Sequence, residues 1–141
     1  MAYMNQQKKA ALAPAIKAVL KKYNMKGTIA VENYSTLVVN LKEGALDLIG
    51  QANEDNRDYA ERRGSPFYEV KGSYQANPYY AHESGSKKIG SFFKELVAAM
   101  NGKNASVSNH DNSDIMTDYF DVGWYLHINV GGWNKPYEVK E

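Results

Sequence analysis

The residues whose chemistry could support catalysis or metal binding are concentrated near the carboxyl end, in "NSDIMTDYFDVGWYLHINVGGWNKPY" (residues 112–137). Asp114 and Asp118, together with Asp111 and His110 just before them, offer hard oxygen ligands and a base, the groups of a metal-dependent hydrolase. Their spacing lacks the glycine and the final glutamate of a calcium-binding loop. Asp and Ser are also ordinary turn and cap residues. We therefore predict no bound metal or cofactor, and a metal-dependent hydrolase remains only a second alternative.

Other catalytic patterns are weak. The pair His82-Glu83 has no second histidine four residues on, as a zinc-protease helix requires, and "GSKKIG" fits neither type of phosphate-binding loop. Asp121 and His127 could form an acid–base pair, but six residues of strand separate them by about 20 Å. The sequence favours a binding protein over an enzyme, and we predict no catalytic residue.

The same stretch has the pattern of a long strand with one face in the core. Apolar residues alternate with polar or small ones over 119–130. The predicted inward set is Phe120, Val122, Trp124, Leu126, Ile128 and Val130. The other set points outward and would supply a binding surface, with Gly131-Gly132 turning the chain afterwards. The candidate binding residues are Tyr119, Asp121, Tyr125 and His127 in the outward row, Trp133 after it, and Asp114 and Asp118 before it.

Two helices and several strands must position this segment. Apolar spacing predicts a helix with Leu12, Ile16 and Leu20 on its buried face, either one bent helix over 5–23 or a main helix beginning near Pro14. A second helix is predicted around residues 89–100, where apolar residues recur at helical spacing.

Between the helices, "GTIAVENYSTLVVNLK" predicts a hairpin that turns at Asn33-Tyr34-Ser35. "GALDLIG" (44–50) predicts a third short strand and "FYEVKGSYQ" (67–75) another, while 51–64 is read as a surface helix or an ordered loop. The prediction is therefore one α+β domain over 1–141, a mostly antiparallel sheet of four to five strands with two amphipathic helices packed on one face.

Composition narrows the class of protein. The 141 residues carry a net charge of +1, contain no cysteine and include no apolar run long enough for a membrane span. We predict a cytoplasmic protein without disulfides or membrane contact. Charge is uneven, because residues 1–26 carry six lysines and no acid, whereas residues 104–134 carry four aspartates and no lysine or arginine.

Aromatic content keeps nucleic acid among the candidate partners. The chain has eleven tyrosines, and several lie in or beside the predicted strands. A tyrosine-bearing sheet face next to a lysine-rich helix could stack single-stranded bases or a nucleotide. The low net charge and the acidic carboxyl-terminal third oppose this reading.

The segments "LAPAIKAVLKKY", "STLVVN", "NPYY" and the carboxyl-terminal stretch resemble a family of small uncharacterised proteins encoded by bacteriophages and mobile elements, over residues 5–137. The resemblance implies an accessory protein in the cytoplasm of a bacterial host, and it carries over no site residues. It favours a binding protein that antagonises a host defence complex, such as a CRISPR or restriction system. The alternative is a single-stranded nucleic-acid or nucleotide binding module. Formation of a homo-oligomer is left open.

Overall fold

The computed structural model describes residues 3–67, 69–76, 78, 81–103, 105, 109, 123–132 and 135–139. The elements are α1 (Gln6–Lys22), β1 (Met25–Glu32), β2 (Thr36–Gly44), α2 (Leu48–Arg63), β3 (Tyr74–Ala76), a 3-10 turn (Ala81–Glu83), α3 (Lys87–Met100), β4 (Tyr125–Val130) and β5 (Glu138–Val139).

Helix α1 runs through Pro14, so the longer of the two predicted extents is right. The side chain of Asn5 caps the helix by accepting a hydrogen bond from the backbone N–H of Lys8 at 2.8 Å. Leu12, Ile16 and Leu20 are buried as predicted. Pro14 lies on the exposed side, where the loss of one backbone hydrogen bond disturbs no core contact.

The hairpin prediction is confirmed, since β1 and β2 pair antiparallel from Met25–Gly44 to Glu32–Thr36. Asn33 and Tyr34 have left-handed backbone angles, with φ of 54° and 55°. Ser35 closes the turn by donating its N–H to the carbonyl of Glu32 at 3.2 Å. Two consecutive left-handed residues match the twist of an antiparallel hairpin, which explains why an Asn opens the turn.

The strand predicted over 44–50 is wrong, because β2 ends at Gly44 and α2 begins at Leu48. Asp47 caps this helix, its carboxylate accepting the backbone N–H of Gly50 at 3.0 Å. Leu46, in the connection before α2, and Leu48, at the start of α2, are both buried. Their spacing of two residues is the same as that of buried residues in a strand, which is why the sequence predicted one. The helical reading of 51–64 is right.

The strand predicted over 67–75 is mostly wrong, because in the described part of this stretch only Tyr74 and Gln75 belong to a strand, β3. The second predicted helix is confirmed as α3, which Ser86 caps by accepting the N–H of Ile89 at 3.4 Å. Its buried residues include Phe92, Phe93 and Leu96.

The α+β class is confirmed, but the sheet is mixed rather than mostly antiparallel. Its strand order is β1-β2-β4-β3, and β5 also pairs with β2. β4 and β5 run parallel to β2, while β1–β2 and β3–β4 are antiparallel. The long connection through α2 and α3 lets β4 return beside β2 in the same direction, as parallel pairing requires.

Three helices rather than two contribute to the core. α1 and α3 contact each other, and α1 also packs on β1. Leu48 of α2 belongs to the same hydrophobic cluster as Ile128 and Val130 of β4. Trp124, Ile128 and Val130 are buried, which confirms the predicted inward set over 124–130 for these residues. Leu126, the other predicted inward residue in this range, is partly exposed. Phe120 and Val122 lie outside the described residues.

Candidate functional site: a tyrosine cluster at one end of the sheet

Two of the predicted binding residues, Tyr125 and His127, lie on β4 with their side chains on the side opposite the core residue Ile128. Tyr125 is exposed and His127 is partly exposed. The other predicted binding residues lie outside the described residues: Tyr119, Asp121, Trp133, Asp114 and Asp118.

The neighbours of Tyr125 and His127 restrict what this face can bind. In the register between β2 and β4, Tyr125 pairs with Thr36 and His127 with Val38, and both β2 residues are buried. On this side of β4, Tyr125 is therefore the more exposed of the two candidate side chains.

Farther along β4, Asn129 donates its amide N–H to the side-chain oxygen of Asn40 at 2.9 Å. Asn40 in turn reaches Thr28 on β1 at 3.5 Å, the outer limit of a hydrogen bond. This polar row crosses three strands and links their side chains, so it contributes to strand pairing.

Two tyrosines that the sequence did not single out join Tyr125 at one end of the sheet. The backbone N–H of Tyr3 donates to Gly123 at 2.8 Å, and the N–H of Met4 donates to Tyr34 at 2.7 Å. The N–H of Tyr125 donates to Ser35 at 2.9 Å. These bonds join the amino-terminal segment, the β1–β2 turn and the start of β4. We call Tyr3, Tyr34 and Tyr125 the tyrosine cluster.

The tyrosine cluster is strongly exposed. The exposed fractions are 50% for Tyr3, 79% for Tyr34 and 44% for Tyr125. Within the described part of the chain six large hydrophobic side chains are exposed, and the cluster holds three of them. Scattered exposed apolar residues are common on soluble proteins, but here three exposed aromatic residues stand on segments that adjoin at one end of the sheet.

A lysine fixes one border of the cluster. The ammonium of Lys8 lies 5.0 Å from the ring centroid of Tyr3 and 5.5 Å from that of Trp124. It also donates to the carbonyl oxygen of Tyr3 at 3.1 Å. The cation–π geometry orients the Tyr3 ring and places a positive charge beside it. Glu32, exposed at the end of β1 next to the turn, adds a negative charge nearby.

The described residues offer little for catalysis. They contain no group of three or more His, Asp or Glu side chains that could hold a metal ion. His82 is exposed in the 3-10 turn, whereas His110 and Asp121 lie outside the described residues. Each tyrosine of the cluster offers a flat ring with an apolar face and a hydroxyl, groups that can pack against and hydrogen-bond to a binding partner.

Structurally the chain is an α+β protein with a mixed five-stranded sheet and an exposed aromatic cluster at one sheet end. Comparison with protein-family models, with curated proteins and with solved structures found no match. Among the described residues, no helix is both long enough and apolar enough to cross a membrane.

Proposed function

We propose that the protein acts by binding a macromolecular partner rather than by catalysis, and that the tyrosine cluster is its contact surface. The observation that carries the proposal is the exposure of three tyrosines on three separate segments that backbone hydrogen bonds join at one end of the sheet. Tyrosine is enriched at the energetically dominant positions of protein interfaces, because its ring gives a large contact area with few rotatable bonds.

A protein partner fits the charges of this surface better than a nucleic acid does. Lys8 and Glu32 bring one charge of each sign to the border of the cluster. A surface that follows a phosphate backbone needs an excess of positive charge. The net charge of +1 gives the whole chain no such excess.

The proposed partner is a protein complex of a bacterial host, and the proposed effect is inhibition of a defence system such as a restriction or CRISPR complex. The support for this context is the resemblance of the chain's motifs to small proteins of bacteriophages and mobile elements. A blocking protein needs only a surface that covers its target, which agrees with a site built from exposed rings.

The test compares three forms of the protein: wild type, the double variant Tyr34→Ala/Tyr125→Ala, and Tyr59→Ala. Tyr59 is the matched control, since it is exposed to a similar degree but lies on α2, outside the cluster. Each protein is purified from bacterial cells and analysed by native mass spectrometry. A co-purifying host protein is then produced separately, and its affinity for the three forms is measured by calorimetry.

We expect the double variant to lose at least about thirtyfold in affinity, because truncation of a single tyrosine at a dominant interface position costs about 2 kcal/mol or more. Tyr59→Ala should bind like wild type. The proposal is wrong if the double variant binds as tightly as wild type. Capture of nuclease-sensitive material with a steep salt dependence would favour the nucleic-acid alternative instead. A bare monomer or homodimer with no partner would also contradict it.

In a cellular test, the protein is expressed in bacteria that carry a restriction or CRISPR system, and plaque formation by a susceptible phage is counted. Wild type and Tyr59→Ala should raise plaque numbers, and the double variant should not. Unchanged plaque numbers with wild type would reject the anti-defence part of the proposal.

A further inference from the structure

A second feature lies away from the tyrosine cluster, where a cleft separates α2 from β3, the 3-10 turn and the start of α3. Its volume is about 630 Å³, within the range of roughly 300–1,000 Å³ typical of small-molecule sites. β3 pairs with the 128–130 end of β4, whereas Tyr125 begins that strand. No residue that lines the cleft belongs to the cluster.

The inner wall of the cleft is apolar. Val70 and Ala81 line it with partly exposed apolar side chains, and the buried core residues Leu48, Ile89 and Phe93 complete it. Ala52 and Ala76 add small side chains, which leave room between the helix and the strand. An aliphatic chain or an aromatic ring can lie against this wall without desolvating a polar group.

One wall carries a carboxylate held in a fixed position. Asp55 Oδ1 accepts hydrogen bonds from Gln51 Nε2 at 2.9 Å and from the backbone N–H of Gly85 at 3.0 Å. Its Oδ2 accepts a longer bond of 3.3 Å from the hydroxyl of Ser84. The approach to Gly85 is close, since a Cβ there would stand 2.7 Å from Asp55 Oδ1. Asp55 thus joins α2 to the loop before α3.

No cation of the described residues neutralises the charge of Asp55. Across the described residues, no lysine, arginine or histidine lies within ion-pair distance of its carboxylate. Its three hydrogen bonds use three of about four lone-pair positions, which leaves capacity on Oδ2. A cation entering the cleft would meet a pre-positioned partner.

Across the cleft from α2, Tyr74 on β3 offers a hydroxyl that makes no hydrogen bond to the described residues. Burial, together with the charge of Asp55, raises the pKa of the Tyr74 hydroxyl above its usual range. The hydroxyl is therefore protonated at neutral pH and can both donate and accept a hydrogen bond. An ammonium N–H could donate to its oxygen.

The charges that line the cleft are mostly negative. Asp55, Asp58 and Glu83 contribute carboxylates, and Arg62 is the one basic side chain among the lining residues. The guanidinium of Arg62 donates to the carbonyl oxygen of Asp58 at 3.4 Å. A site with three carboxylates and one guanidinium attracts cations and repels anions.

We propose that this cleft binds a small organic cation, a primary amine carried on an aliphatic or aromatic body, with the apolar part against Ala52, Val70 and Ala81 and the ammonium between Asp55 and Tyr74. The volume of the cleft, its apolar wall and its excess of carboxylates all favour such a ligand. The proposal is independent of the binding function assigned to the tyrosine cluster.

The test uses three phenols of similar size that differ in charge: tyramine, 4-ethylphenol and 4-hydroxyphenylacetate. Agmatine and spermidine serve as aliphatic cations. Binding is followed by the backbone amide shifts of Ala76, Gly85 and Phe93 in two-dimensional NMR spectra. We expect saturable shifts with at least one amine, and affinity for tyramine about tenfold or more above that for 4-ethylphenol, since a charged hydrogen bond contributes about 1.5–3 kcal/mol. The anion should cause no shift.

Matched variants separate the local carboxylate from the overall charge. Asp55→Asn should weaken amine binding by about tenfold or more. Glu54→Gln removes one negative charge from the exposed side of α2, outside the cleft, and should change binding less than twofold. The rim variant Asp58→Asn/Glu83→Gln keeps the proposal testable if Asp55→Asn fails to fold, because neither side chain makes a hydrogen bond to another described residue. This variant should also weaken binding.

Three results would overturn the proposal. The first is the absence of shifts with all three amines at millimolar concentration. The second is equal or tighter binding of 4-ethylphenol or of the anion. The third is equal weakening by Glu54→Gln and by the cleft variants. None of these results bears on whether the tyrosine cluster binds a protein.

Discussion

The indole N–H of Trp124 donates a hydrogen bond to the carbonyl oxygen of Met100 at 3.1 Å and joins the end of α3 to the residue before β4. Asn109 bonds to both backbone polar groups of Trp124, accepting its N–H at 2.9 Å and donating to its carbonyl at 3.0 Å. Trp124 is buried and immediately precedes Tyr125. Its anchoring therefore fixes where the exposed ring of Tyr125 emerges from the sheet.

The first prediction concerns this anchor. Trp124→Phe removes the indole hydrogen bond to the carbonyl oxygen of Met100 and creates a cavity. We expect a loss of about 2–4 kcal/mol in the free energy of unfolding, measured by chemical denaturation. The control Tyr34→Phe, which alters an exposed hydroxyl, should stay within about 0.5 kcal/mol of wild type. Equal stability of Trp124→Phe and wild type would mean that the indole does not anchor β4.

The second prediction compares two glycines with nearly the same backbone angle. Gly64 has φ of 64° and Gly131 has φ of 68°. A Cβ on Gly64 would meet nothing within 4 Å, whereas one on Gly131 would lie 2.5 Å from the carbonyl oxygen of Gly72 and 2.7 Å from the backbone nitrogen of Tyr137. A substitution by alanine therefore places a side chain in the left-handed region at both positions. Of these two positions, Gly131 is the one where the added Cβ would also clash with the backbone.

Gly64→Ala should cost about 1–2 kcal/mol, the penalty of placing a side chain in the left-handed region. Gly131→Ala should cost clearly more, about 3 kcal/mol or above, because backbone atoms must move. Thermal or chemical unfolding of both variants measures the difference. Equal losses would show that the chain at residue 131 relaxes freely.

Much of the fold could be predicted because its signals are local. The spacing of Leu12, Ile16 and Leu20 marked α1, and the turn residues Asn33 and Tyr34 marked the hairpin. The alternation over 124–130 identified the buried side of β4. The parallel pairing of β2 with β4 joins residues almost ninety positions apart, such as Thr36 and Tyr125, and no local pattern records it.

The same pairing explains what could be predicted of the candidate site. Tyr125 was identified from strand alternation, but Tyr3 and Tyr34 have ordinary surroundings in the sequence. The segments that carry Tyr3, Tyr34 and Tyr125 meet for two reasons. β4 lies beside β2, and the residues before α1 hydrogen-bond both to the β1–β2 turn and to the residues before β4. The start of α2 had a local signal that apolar alternation concealed, namely Asp47 three residues before Gly50.

The third prediction concerns acid stability. Lys22 donates to Glu95 at 2.6 Å, and the hydroxyl of Tyr23 also hydrogen-bonds to this carboxylate. The bond from Lys22, followed by that from Tyr23, holds the pKa of Glu95 below its usual value. A lowered folded-state pKa stabilises the protein above the unfolded-state value of about 4.3, and this contribution is lost as the pH falls through the folded-state value.

We therefore expect Glu95→Gln to be less stable than wild type at neutral pH, with the difference shrinking as the pH falls below about 4.3. The effect should be modest, because Lys22 is largely exposed and Glu95 is partly exposed, so solvent screens the pair. Chemical denaturation across the acid range measures it. Glu54→Gln is the matched control, because Glu54 is exposed and makes no hydrogen bond to another described residue. A pH-independent difference for Glu95→Gln would contradict the prediction.

The fourth prediction concerns alkaline stability. Tyr137 is buried and donates its hydroxyl to the carbonyl oxygen of Leu46 at 2.7 Å. Burial is the main cause that raises the pKa of both Tyr137 and Tyr74 above the ordinary value. A raised folded-state pKa contributes stability that is complete below the unfolded-state value of about 10 and is lost as the pH rises through the folded-state value.

Stability should accordingly fall above about pH 10, by at most about 1.4 kcal/mol per pH unit for each of the two tyrosines. The double variant Tyr74→Phe/Tyr137→Phe should flatten this alkaline slope, although it lowers stability at neutral pH by removing the bond to Leu46. Tyr34→Phe, at an exposed position, should leave the slope unchanged. Denaturation experiments at several alkaline pH values measure the slopes, and the double variant should lose tyrosinate absorbance that wild type gains at higher pH than its exposed tyrosines do. An unaltered slope in the double variant would mean that other groups govern alkaline unfolding.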